Sequence, residues 1–440
     1  MGKYFGTDGF RGEANTILDA QRAFDIGRYL GYYYHQKGET KILIGKDTRL
    51  SGSMLEMALA SGLAAQGIEA YLLGVCPTPA IAYLTVRQGF SGGVMISASH
   101  NPYYDNGIKI FDGSGIKIGS EIEDLIEKYV DGEIEIQYQT HEAIGQVIDY
   151  HHGLDYYLNW LKENHQFSLQ GMKIVLDCAN GSASTTAYQL LSCYGAEVVV
   201  MNDTPNGINI NEKCGSTHPE ALQKAVLQHQ ADVGFAFDGD ADRLIAVDSN
   251  GRQVTGDHIL YLCSKALKLE GELTKNTVVT TVMANLGLFK ALEKEEIETT
   301  ITAVGDKYVF EEMQKSGCIL GGEQSGHIIF SRYLPTGDGL LTALQLLKVM
   351  SKSEKSLVQL VEGLNIFPQL LVNVKVQDKK SALASETLKK EIDLVTAELG
   401  DSGRILVRPS GTEPLIRVMV EAENDAICQQ QVNRIVSILK

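Results

Sequence analysis

The chain has 440 residues, which is too long for one hydrophobic core, and its 44% hydrophobic and 21% charged residues are typical of a globular protein. Its net charge of −16, from 39 basic and 55 acidic residues, argues against general nucleic-acid or anionic-membrane binding but allows a small anionic substrate in a local basic pocket. The 7 cysteines are scattered without a Cys-x-x-Cys pair, so neither a disulfide framework nor a zinc site is indicated. The sequence shows no leader segment and no apolar run of about 18 residues, so we expect a cytoplasmic protein.

The chain opens with a glycine-rich segment, residues 6–12, which contains Arg11. Glycines beside an arginine are typical of a backbone loop around a ligand, although a flexible terminal turn has the same composition. The elements predicted next are helix 19–37, strand 41–45, helix 51–66, strand 67–73 and helix 120–130. Their alternation predicts a first doubly wound α/β unit that ends near residue 150.

The segment 94–111 begins with an apolar strand that leads directly into Ser97 and Ser99. Open α/β sheets bind ligands at the carboxyl ends of their strands, so we expect both serines and the adjacent His100 at such an edge. An Asp-Asn-Gly turn signal then predicts a reversal of the chain into a second strand, which carries Lys109. Taken alone, a Ser-His pair favours an ordinary hairpin whose serines cap backbone groups.

A second α/β unit follows, and its last strand leads into an acidic loop. The predicted elements are helix 154–164, strand 172–177, helix 183–194, strand 196–201, a long surface loop at 202–219 and strand 232–237. The acidic loop carries Asp238, Asp240 and Asp242 at alternate positions, followed by Arg243.

This acidic loop has the composition of a magnesium site. Carboxylates two residues apart in a tight loop can converge on one hard divalent cation, and the missing Gly and distal Glu of an EF-hand favour Mg²⁺ over Ca²⁺. A solvated acidic turn is disfavoured, because neighbouring carboxylates after an apolar strand repel one another unless a cation neutralises them. Arg243 is suited to bind a phosphoryl oxygen beside the ion.

A third α/β unit is predicted from helix 256–269, strand 277–283 and helix 339–352. Within it, a loop places Glu323, Ser325 and His327 between glycines, a composition suited to binding sugar hydroxyl groups. Lys307 is a further candidate for the site. Each of these residues is weak evidence alone, because charged and polar loop residues are usually solvated.

A smaller α+β unit is predicted at the end of the chain, with strand 370–376, helix 380–399, strand 403–407, strand 414–421 and helix 425–440. Between its second and third strands, Gly411 stands between Ser410 and Thr412 and can turn successive backbone N–H groups toward an anion. Arg408 can add a bidentate contact, and Arg417 can join it. A polar hairpin is an equally good interpretation of this motif alone.

Together these motifs resemble the α-D-phosphohexomutase family. In chain order they are Gly-Thr-Asp-Gly-x-Arg-Gly, Ser-Ala-Ser-His-Asn-Pro, Asp-Gly-Asp-x-Asp-Arg, Gly-Glu-x-Ser-Gly-His and Arg-Pro-Ser-Gly-Thr-Glu-Pro, and they span the whole chain. The resemblance implies three successive doubly wound α/β domains, at 1–150, 151–253 and 254–367. A smaller α+β domain at 368–440 would follow, and the four would surround a central cleft.

The resemblance also implies an intramolecular phosphotransferase. Ser99 would carry the phosphoryl group, because the family places it on the serine directly before His, which leaves Ser97 without this role. That phosphate, with Asp238, Asp240 and Asp242, would hold one Mg²⁺. The phosphoserine would give its group to the 1-position of glucosamine 6-phosphate, and the 6-phosphate of the resulting 1,6-bisphosphate would return to the serine.

The family assigns the remaining roles less sharply. Candidates for proton transfer at the sugar hydroxyl are Arg11, Lys109 and His327. His100 would orient the phosphoserine. The residues expected to bind substrate are Arg243, Lys307, Glu323, Ser325, Arg408, Ser410, Gly411, Thr412 and Arg417.

Within the family, the motifs at 6–12, 45–52 and 322–327 are most similar to bacterial members that act on glucosamine phosphates and supply amino-sugar nucleotides for the cell wall. Relatives that act on mannose or glucose phosphates typically have Met where Gln324 stands, and they are the main alternative. A Mg²⁺ phosphatase with an Asp nucleophile and a non-enzymatic sugar-phosphate sensor are the others. The resemblance implies glucosamine or glucose 1,6-bisphosphate as activator, small sugar phosphates as partners rather than nucleic acid or membrane, and leaves a homodimer open.

Overall fold

The computed structural model describes residues 2–6, 8–409 and 415–439. The strands of the first domain are β1 (Phe5–Gly6), β2 (Gly9–Glu13), β3 (Lys41–Lys46), β4 (Glu69–Val75), β5 (Gly92–Ile96), β6 (Asp105–Asp112) and β7 (Val147–Asp149). Its helices are α1 (Ala20–His35), α2 (Gly52–Ala64), α3 (Thr78–Arg87) and α4 (Ser120–Val130). The strand order in the sheet is β1-β2-β6-β5-β3-β4-β7.

The second domain has a mixed sheet of order β12-β11-β10-β8-β9. Its strands are β8 (Lys173–Asp177), β9 (Glu197–Met201), β10 (Val233–Phe237), β11 (Leu244–Asp248) and β12 (Gln253–Val254). Its helices are α5 (Gly153–Asn164), α6 (Ala187–Ser192) and α7 (Glu220–His229).

The third domain has a sheet of order β14-β13-β15-β16. Its strands are β13 (Thr277–Thr281), β14 (Glu298–Thr302), β15 (Leu320–Gly322) and β16 (Ile328–Phe330). Its helices are α8 (Gly256–Leu269), α9 (Leu286–Lys294), α10 (Asp306–Ser316), α11 (Gly339–Ser353) and α12 (Leu357–Leu360).

The last domain has an antiparallel sheet of order β17-β19-β18, as expected for an α+β domain. Its strands are β17 (Gln369–Lys375), β18 (Arg404–Pro409) and β19 (Leu415–Glu421), and its helices are α13 (Lys379–Ala384), α14 (Glu386–Leu399) and α15 (Asp425–Leu439). The helix predicted over 380–399 is interrupted at Ser385, whose side chain caps α14 by accepting a hydrogen bond from the main chain of Leu388. The predicted fold class, three α/β domains followed by a smaller α+β domain, is confirmed.

One strand order recurs in the first three domains. In each, the first parallel strand lies between the second and the third, and an antiparallel fourth strand flanks the third: β4-β3-β5-β6, β9-β8-β10-β11 and β14-β13-β15-β16. The connection between the third and fourth strands carries in turn the Ser-His loop, the acidic loop and the Gly-Glu-Gln-Ser-Gly-His loop. Three motifs with unrelated sequences therefore occupy one topological position.

Two sequence predictions in the first domain were wrong. Residues Gly9–Glu13 form strand β2 rather than a loop, and the Asp-Asn-Gly signal at 105–107 begins strand β6 rather than forming a turn. These segments pair with each other, with Arg11 opposite Gly107. A Cβ atom at Gly107 would lie 2.5 Å from the carbonyl oxygen of Ser97, so glycine is required there by close backbone approach. The chain reverses earlier, within the Ser-His loop.

By the density of its internal contacts the chain divides into two compact parts, residues 1–283 with 297–361, and residues 284–296 with 362–440. Helix α9 therefore groups with the last domain. In this second part, the buried carboxylate of Glu421 accepts hydrogen bonds from the Leu286 main chain (2.9 Å) and from the side chains of Gln369 (2.8 Å) and Arg404 (2.6 Å). No helix in the described part of the chain has the length and hydropathy of a membrane span.

Candidate active site

The Ser-His loop directs one hydroxyl group at the acidic loop. Ser99 is fully buried, has a left-handed backbone conformation (φ 52°), and its Oγ donates to Oδ2 of Asp238 at 2.5 Å. The same Oγ lies 3.4 Å from Nδ1 of His100. The end of β5 and the end of β10 thus bring together two motifs that are 139 residues apart in the chain.

Ser97 has different partners. Its Oγ donates to Oδ2 of Asp47 at 2.6 Å and accepts a hydrogen bond from the main-chain N–H of Ser99 at 2.9 Å. Its hydroxyl group is therefore engaged in shaping the loop, whereas that of Ser99 faces the carboxylates.

The acidic loop forms a compact cluster of buried carboxylates. Carboxylate oxygens of Asp238, Asp240 and Asp242 lie within 4.8 Å of one another, as the ligands of a single ion would. Oδ2 of Asp240 accepts from Thr78 Oγ1 at 2.5 Å and from Lys109 Nζ at 2.7 Å. In contrast, the buried Oδ1 of Asp240 accepts no hydrogen bond, and Oδ1 of Asp242 has only long contacts, the shorter with Nδ1 of His327 at 3.5 Å. Carboxylate oxygens that lie close together, some of them without a hydrogen bond, are suitable ligands for a hard divalent cation.

The electrostatics of the cluster support the same conclusion. Burial and the neighbouring charges of Asp242 and Asp240 raise the pKa of Asp238 well above its usual value. For Asp242, burial acts in the same direction, but the positive charges of Lys109 and His327 outweigh it and hold the pKa well below the usual value. The opposite pKa shifts mean that charging all of these neighbouring carboxylates at once is energetically unfavourable. A divalent cation bound between them would offset this repulsion.

Lys109 lies at the centre of the negative charges. Its buried Nζ is 2.7 Å from Asp240, 3.3 Å from Asp242 and 3.2 Å from Asp8. Burial lowers the pKa of Lys109, but these carboxylates outweigh it and raise the pKa well above its ordinary value. The ammonium group therefore stays charged, and it is suited to neutralising negative charge rather than to accepting a proton.

A second group of charges extends from the amino-terminal motif. Arg11 pairs with Oδ2 of Asp8, and Lys117 lies 2.5 Å from Oδ1 of Asp8. Lys117 is also 2.6 Å from Oδ2 of Asp306, at the start of α10. Although burial raises the pKa of Asp8, the cations of Arg11, Lys109 and Lys117 hold it well below its usual value. The first and third domains are thus joined by ion pairs next to the acidic cluster.

His100 and Arg243 are in contact. Arg243 Nη1 lies 3.0 Å from Nδ1 of His100, and the main-chain N–H of Arg243 donates to Asp238. Burial, Arg243 and Arg11 lower the pKa of His100 to about 4, so this imidazole is neutral and accepts from the guanidinium group.

His327 is enclosed between the second and third domains. Its Nδ1 lies 3.5 Å from Asp242, and the main-chain N–H of Gly337 donates to Nε2 at 3.0 Å. Burial lowers the pKa of His327, but Asp242 and Asp306 outweigh it and raise the pKa. The hydrogen bond from Gly337 requires an unprotonated Nε2, so the ring described here carries its proton on Nδ1, and charging it would break that bond.

The other predicted residues of the third domain are less enclosed. Glu323 is half-buried, and its carboxylate accepts from the main chain of Gly305 at 3.1 Å. Ser325 is exposed, and Lys307 is half-buried in the first turn of α10, where its charge acts on Glu123.

Arg408 and Arg417 are direct neighbours on adjacent strands. They face each other in the β18–β19 pairing, and burial together with the charge of Arg417 lowers the pKa of Arg408. Like charges directly opposite each other on a sheet repel and are destabilising. Ser410, Gly411 and Thr412 lie outside the described residues.

Sequence reasoning missed several side chains that shape this site. Asp47 and Arg49 end a polar run after β3, a signal that the carboxyl end of a parallel strand could have supplied. Thr78 is the first residue of α3 and follows a proline, a pattern that indicates a helix start. Nothing in this pattern indicates that Thr78 bonds to Asp240. Asn211 lies in the segment predicted as a surface loop, yet it is 8% exposed and bonds to the Ser-His loop. No local pattern marks it.

The family models of phosphoglucomutase/phosphomannomutase match the chain in order. They match alpha/beta/alpha domain I over residues 2–137, domain II over 155–251, domain III over 255–367 and the C-terminal domain over 371–438. Phosphoglucosamine mutase from Lachnoclostridium phytofermentans is 51% identical over 441 residues, which is 100% of this chain and 98% of that protein.

Solved structures show the same fold. A phosphoglucomutase/phosphomannomutase family protein from Burkholderia thailandensis has 26% identity and a TM-score of 0.80, with coverage of 99% of this chain and 96% of that chain. N-acetylphosphoglucosamine mutase from Aspergillus fumigatus, solved with GlcNAc-6P and magnesium, has 19% identity and a TM-score of 0.72, with coverage of 99% and 96%. The latter likeness is one of fold.

Proposed function

The chain belongs to the phosphoglucomutase/phosphomannomutase family, the α-D-phosphohexomutases, and we propose that it interconverts glucosamine 6-phosphate and glucosamine 1-phosphate. The family and the substrate are supported by phosphoglucosamine mutases that are about half identical over the full chain. The observation that carries the chemistry is the hydroxyl of Ser99, which faces a buried cluster of three carboxylates.

Ser99 is the proposed phosphoryl carrier. The bond from Ser99 Oγ to phosphorus breaks as the 1-hydroxyl of glucosamine 6-phosphate attacks, which yields the 1,6-bisphosphate and frees the serine hydroxyl. The bisphosphate turns over within the site, and its 6-phosphoryl group returns to Oγ, so that glucosamine 1-phosphate leaves. Such a transfer needs alignment and charge neutralisation more than covalent chemistry from the protein.

The charged residues around Ser99 supply that neutralisation. Asp238, Asp240 and Asp242, completed by the phosphate of Ser99, would hold one Mg²⁺, which stabilises negative charge on the transferring group. Arg243, which is in contact with His100, binds phosphoryl oxygens beside the ion.

Proton transfer at the sugar hydroxyl belongs to the set Arg11, Lys109 and His327. Lys109 and Arg11 are ion-paired cations, so each must give up a proton before it can accept one. The Nε2 atom of His327 must lose the hydrogen bond from the Gly337 main chain before it takes a proton. The proposal names no single base among the three.

The remaining predicted residues recognise the sugar and its distal phosphate. Glu323 and Ser325 bind the 3- and 4-hydroxyl groups, which are equivalently placed in both orientations of the intermediate. The non-reacting phosphate is bound by Arg408, Ser410, Gly411, Thr412 and Arg417, and Lys307 is a further substrate-binding residue. We further propose that glucosamine or glucose 1,6-bisphosphate activates the enzyme by phosphorylating Ser99, and that the domains meet near residues 150, 253 and 367.

A coupled assay of glucosamine 1-phosphate formation tests the function. We expect turnover that requires Mg²⁺, rises with a 1,6-bisphosphate and is faster on glucosamine 6-phosphate than on glucose or mannose 6-phosphate. Preference for mannose would overturn the substrate assignment. Net release of phosphate would favour a phosphatase, and tight binding without turnover would favour a sensor.

A further inference from the structure

We infer that Arg49 and Asn211 are positioning residues that hold the main-chain carbonyl of Ser99 from two domains and so aim its hydroxyl at the acidic loop. The inference rests on the proposed role of Ser99 as the phosphoryl carrier. Neither residue lies within hydrogen-bond distance of a proposed metal ligand's side chain; both act on the backbone of the Ser-His loop.

The backbone of Ser99 needs external support. Its φ of 52° is in the left-handed region, which is unfavourable for a residue with a side chain. Such a conformation persists when the surroundings over-determine it. The hydrogen bond from the Ser99 N–H to Ser97 fixes one side of the residue, and the carbonyl of Ser99 must be fixed on the other.

Arg49 supplies the contact from the first domain. Its Nη2 donates to the carbonyl oxygens of Ser99 and Asn101, both at 2.8 Å, and its Nη1 donates to those of Pro102 and Asp105. The guanidinium group is fully buried and is oriented by Asp47, which accepts from Nε at 2.9 Å. One rigid, planar group thus bonds along the whole loop.

Asn211 supplies the contact from the second domain. Its Nδ2 donates to the carbonyl oxygens of Ser99 at 2.9 Å and of Asn101 at 3.1 Å. Space for this contact depends on Gly239 of the acidic loop, because a Cβ atom there would lie 2.5 Å from the Ser99 carbonyl and 3.0 Å from Nδ2 of Asn211. The amide group of Asn211 is therefore bonded to the Ser-His loop at a point where the backbone of Gly239 in the acidic loop packs closely against it.

These hydrogen bonds matter for catalysis because they align the Ser99 hydroxyl group with the acidic loop. A peptide group that loses one of its two donors can rotate, which moves the Ser99 hydroxyl relative to Asp238. A displacement of about 1 Å at a reacting atom can slow a transfer about 100-fold. A loss of alignment lowers kcat, whereas the binding of glucosamine 6-phosphate, which neither Arg49 nor Asn211 contacts in the proposal, is retained.

The chain offers a matched pair of variants. Asn211 has a φ of 58°, so Asn211→Gly removes the amide without a backbone penalty. Asn202→Gly is the control, because Asn202 has a φ of 52°, lies in the same loop and donates one side-chain hydrogen bond, to Asp177 rather than to the Ser-His loop.

The test is single-turnover transfer in the full-length protein. Ser99 is loaded with radiolabelled phosphate from labelled glucose 1,6-bisphosphate and loading is checked by intact mass. Because an unlabelled phosphoryl group returns to Ser99 in each cycle, the measurement follows transfer of the label from the protein to hexose phosphate after mixing with glucosamine 6-phosphate and Mg²⁺. For Asn211→Gly we expect a rate constant about 10- to 100-fold below that of Asn202→Gly and of the parent, with an unchanged KM. If part of the variant protein were unfolded, the amount of phosphate transferred would fall, but the rate constant of the folded fraction would not change.

A rate constant for Asn211→Gly within about twofold of the control overturns the inference, while the proposed function stands. If the unsubstituted protein transfers no phosphate to any hexose phosphate, the proposed function fails first, and the inference with it. Arg49→Lys, which retains the charge but loses the planar group, should slow transfer at least as much, and the Asn211 pair decides the matter if that variant does not fold.

Discussion

Ser97 and Ser99 are separated by one residue, yet their hydroxyl groups face opposite environments. The left-handed backbone of Ser99 turns its Oγ to Asp238, while Ser97 is bonded to Asp47. In an extended strand, side chains two residues apart lie on the same face, so Ser97 and Ser99 would point the same way. Their hydroxyl groups point in different directions because Ser99 has a positive φ.

This difference predicts the effects of two alanine variants. Ser99→Ala removes the proposed carrier, and we expect the mutase rate to fall at least about 1000-fold with no phosphate detectable by intact mass. Ser97→Ala leaves the carrier in place but removes the donor to Asp47, so a loss of about 10-fold is expected. Equal losses, measured in the coupled assay, would mean that the two hydroxyls share one role.

His258 is a buried titratable residue away from the acidic cluster. It is the third residue of α8, and its Nδ1 accepts a hydrogen bond from the main-chain N–H of Thr255 at 3.1 Å, which forms a capping box. Burial lowers the pKa of His258 to about 4, although Asp248 opposes the shift. The ring is thus neutral in the folded protein at pH values where an unfolded chain would charge it.

The stability should therefore decrease as the pH falls from about 6.5 to about 4, since only the unfolded chain binds this proton, with a loss of about 3 kcal/mol at most. His258→Gln keeps an acceptor for Thr255 and removes the titration, so its melting temperature should fall less with acidification than that of the parent. Thermal unfolding followed by circular dichroism measures this. His229→Gln, at an exposed position on α7, should behave like the parent.

Repeated use of one strand order explains how distant loops come together. In each of the first three domains the chemistry-bearing loop joins the third strand to an antiparallel fourth strand. The two loops that meet in the candidate site, those of β5–β6 and β10–β11, start from fully buried strands. Such strands give the loops rigid attachment points.

The acidic loop should make thermal stability depend on magnesium. A ligand present at about 100 times its Kd stabilises the folded state by about 2.7 kcal/mol, and here it also relieves repulsion between buried carboxylates. We expect Mg²⁺ to raise the melting temperature relative to EDTA, and Asp238→Asn to abolish the increase.

Asp238 is chosen for substitution because the ion pairs of Lys109 with Asp240 and Asp242 stay in place. Asp203→Asn, at an exposed site of the same domain, should keep the full increase, and a retained increase in Asp238→Asn would contradict the metal site.

The two compact parts of the chain are not separated at a single point in the sequence. Residues 284–296, within the span of the third domain's family model, group with 362–440. The buried carboxylate of Glu421 connects α9 to β19 and also pairs with Arg404. Two separate segments therefore build the second compact part.

Glu421→Ala should loosen α9 selectively. Removing one partner from a buried ion pair typically costs about 3–5 kcal/mol, because Arg404 and the first N–H of α9 lose their acceptor. In hydrogen exchange measured by mass spectrometry, the amides of α9 should exchange faster, while those of α10, which belongs to the other compact part, should not change. Equal acceleration in both helices would argue against this division of the chain.

The sequence by itself determined the family, the α/β fold class and the motifs of the site. The family and the fold class are confirmed, while the site roles and domain limits stay predictions. Local patterns suffice for the fold class and the motifs, because strand and helix periodicity and loop chemistry are properties of neighbouring residues. The family followed from the resemblance of five motifs that occur in one order along the whole chain.

Only the tertiary structure decided which partner each side chain has. It separated Ser97 from Ser99, surrounded Lys109 with carboxylates that keep it charged, and brought Arg49 and Asn211 to one carbonyl group. These contacts join residues 50 to 139 positions apart. The order of strands in the sheets and the packing of domains create them, and neither the spacing nor the composition of a segment records which distant segment it will meet.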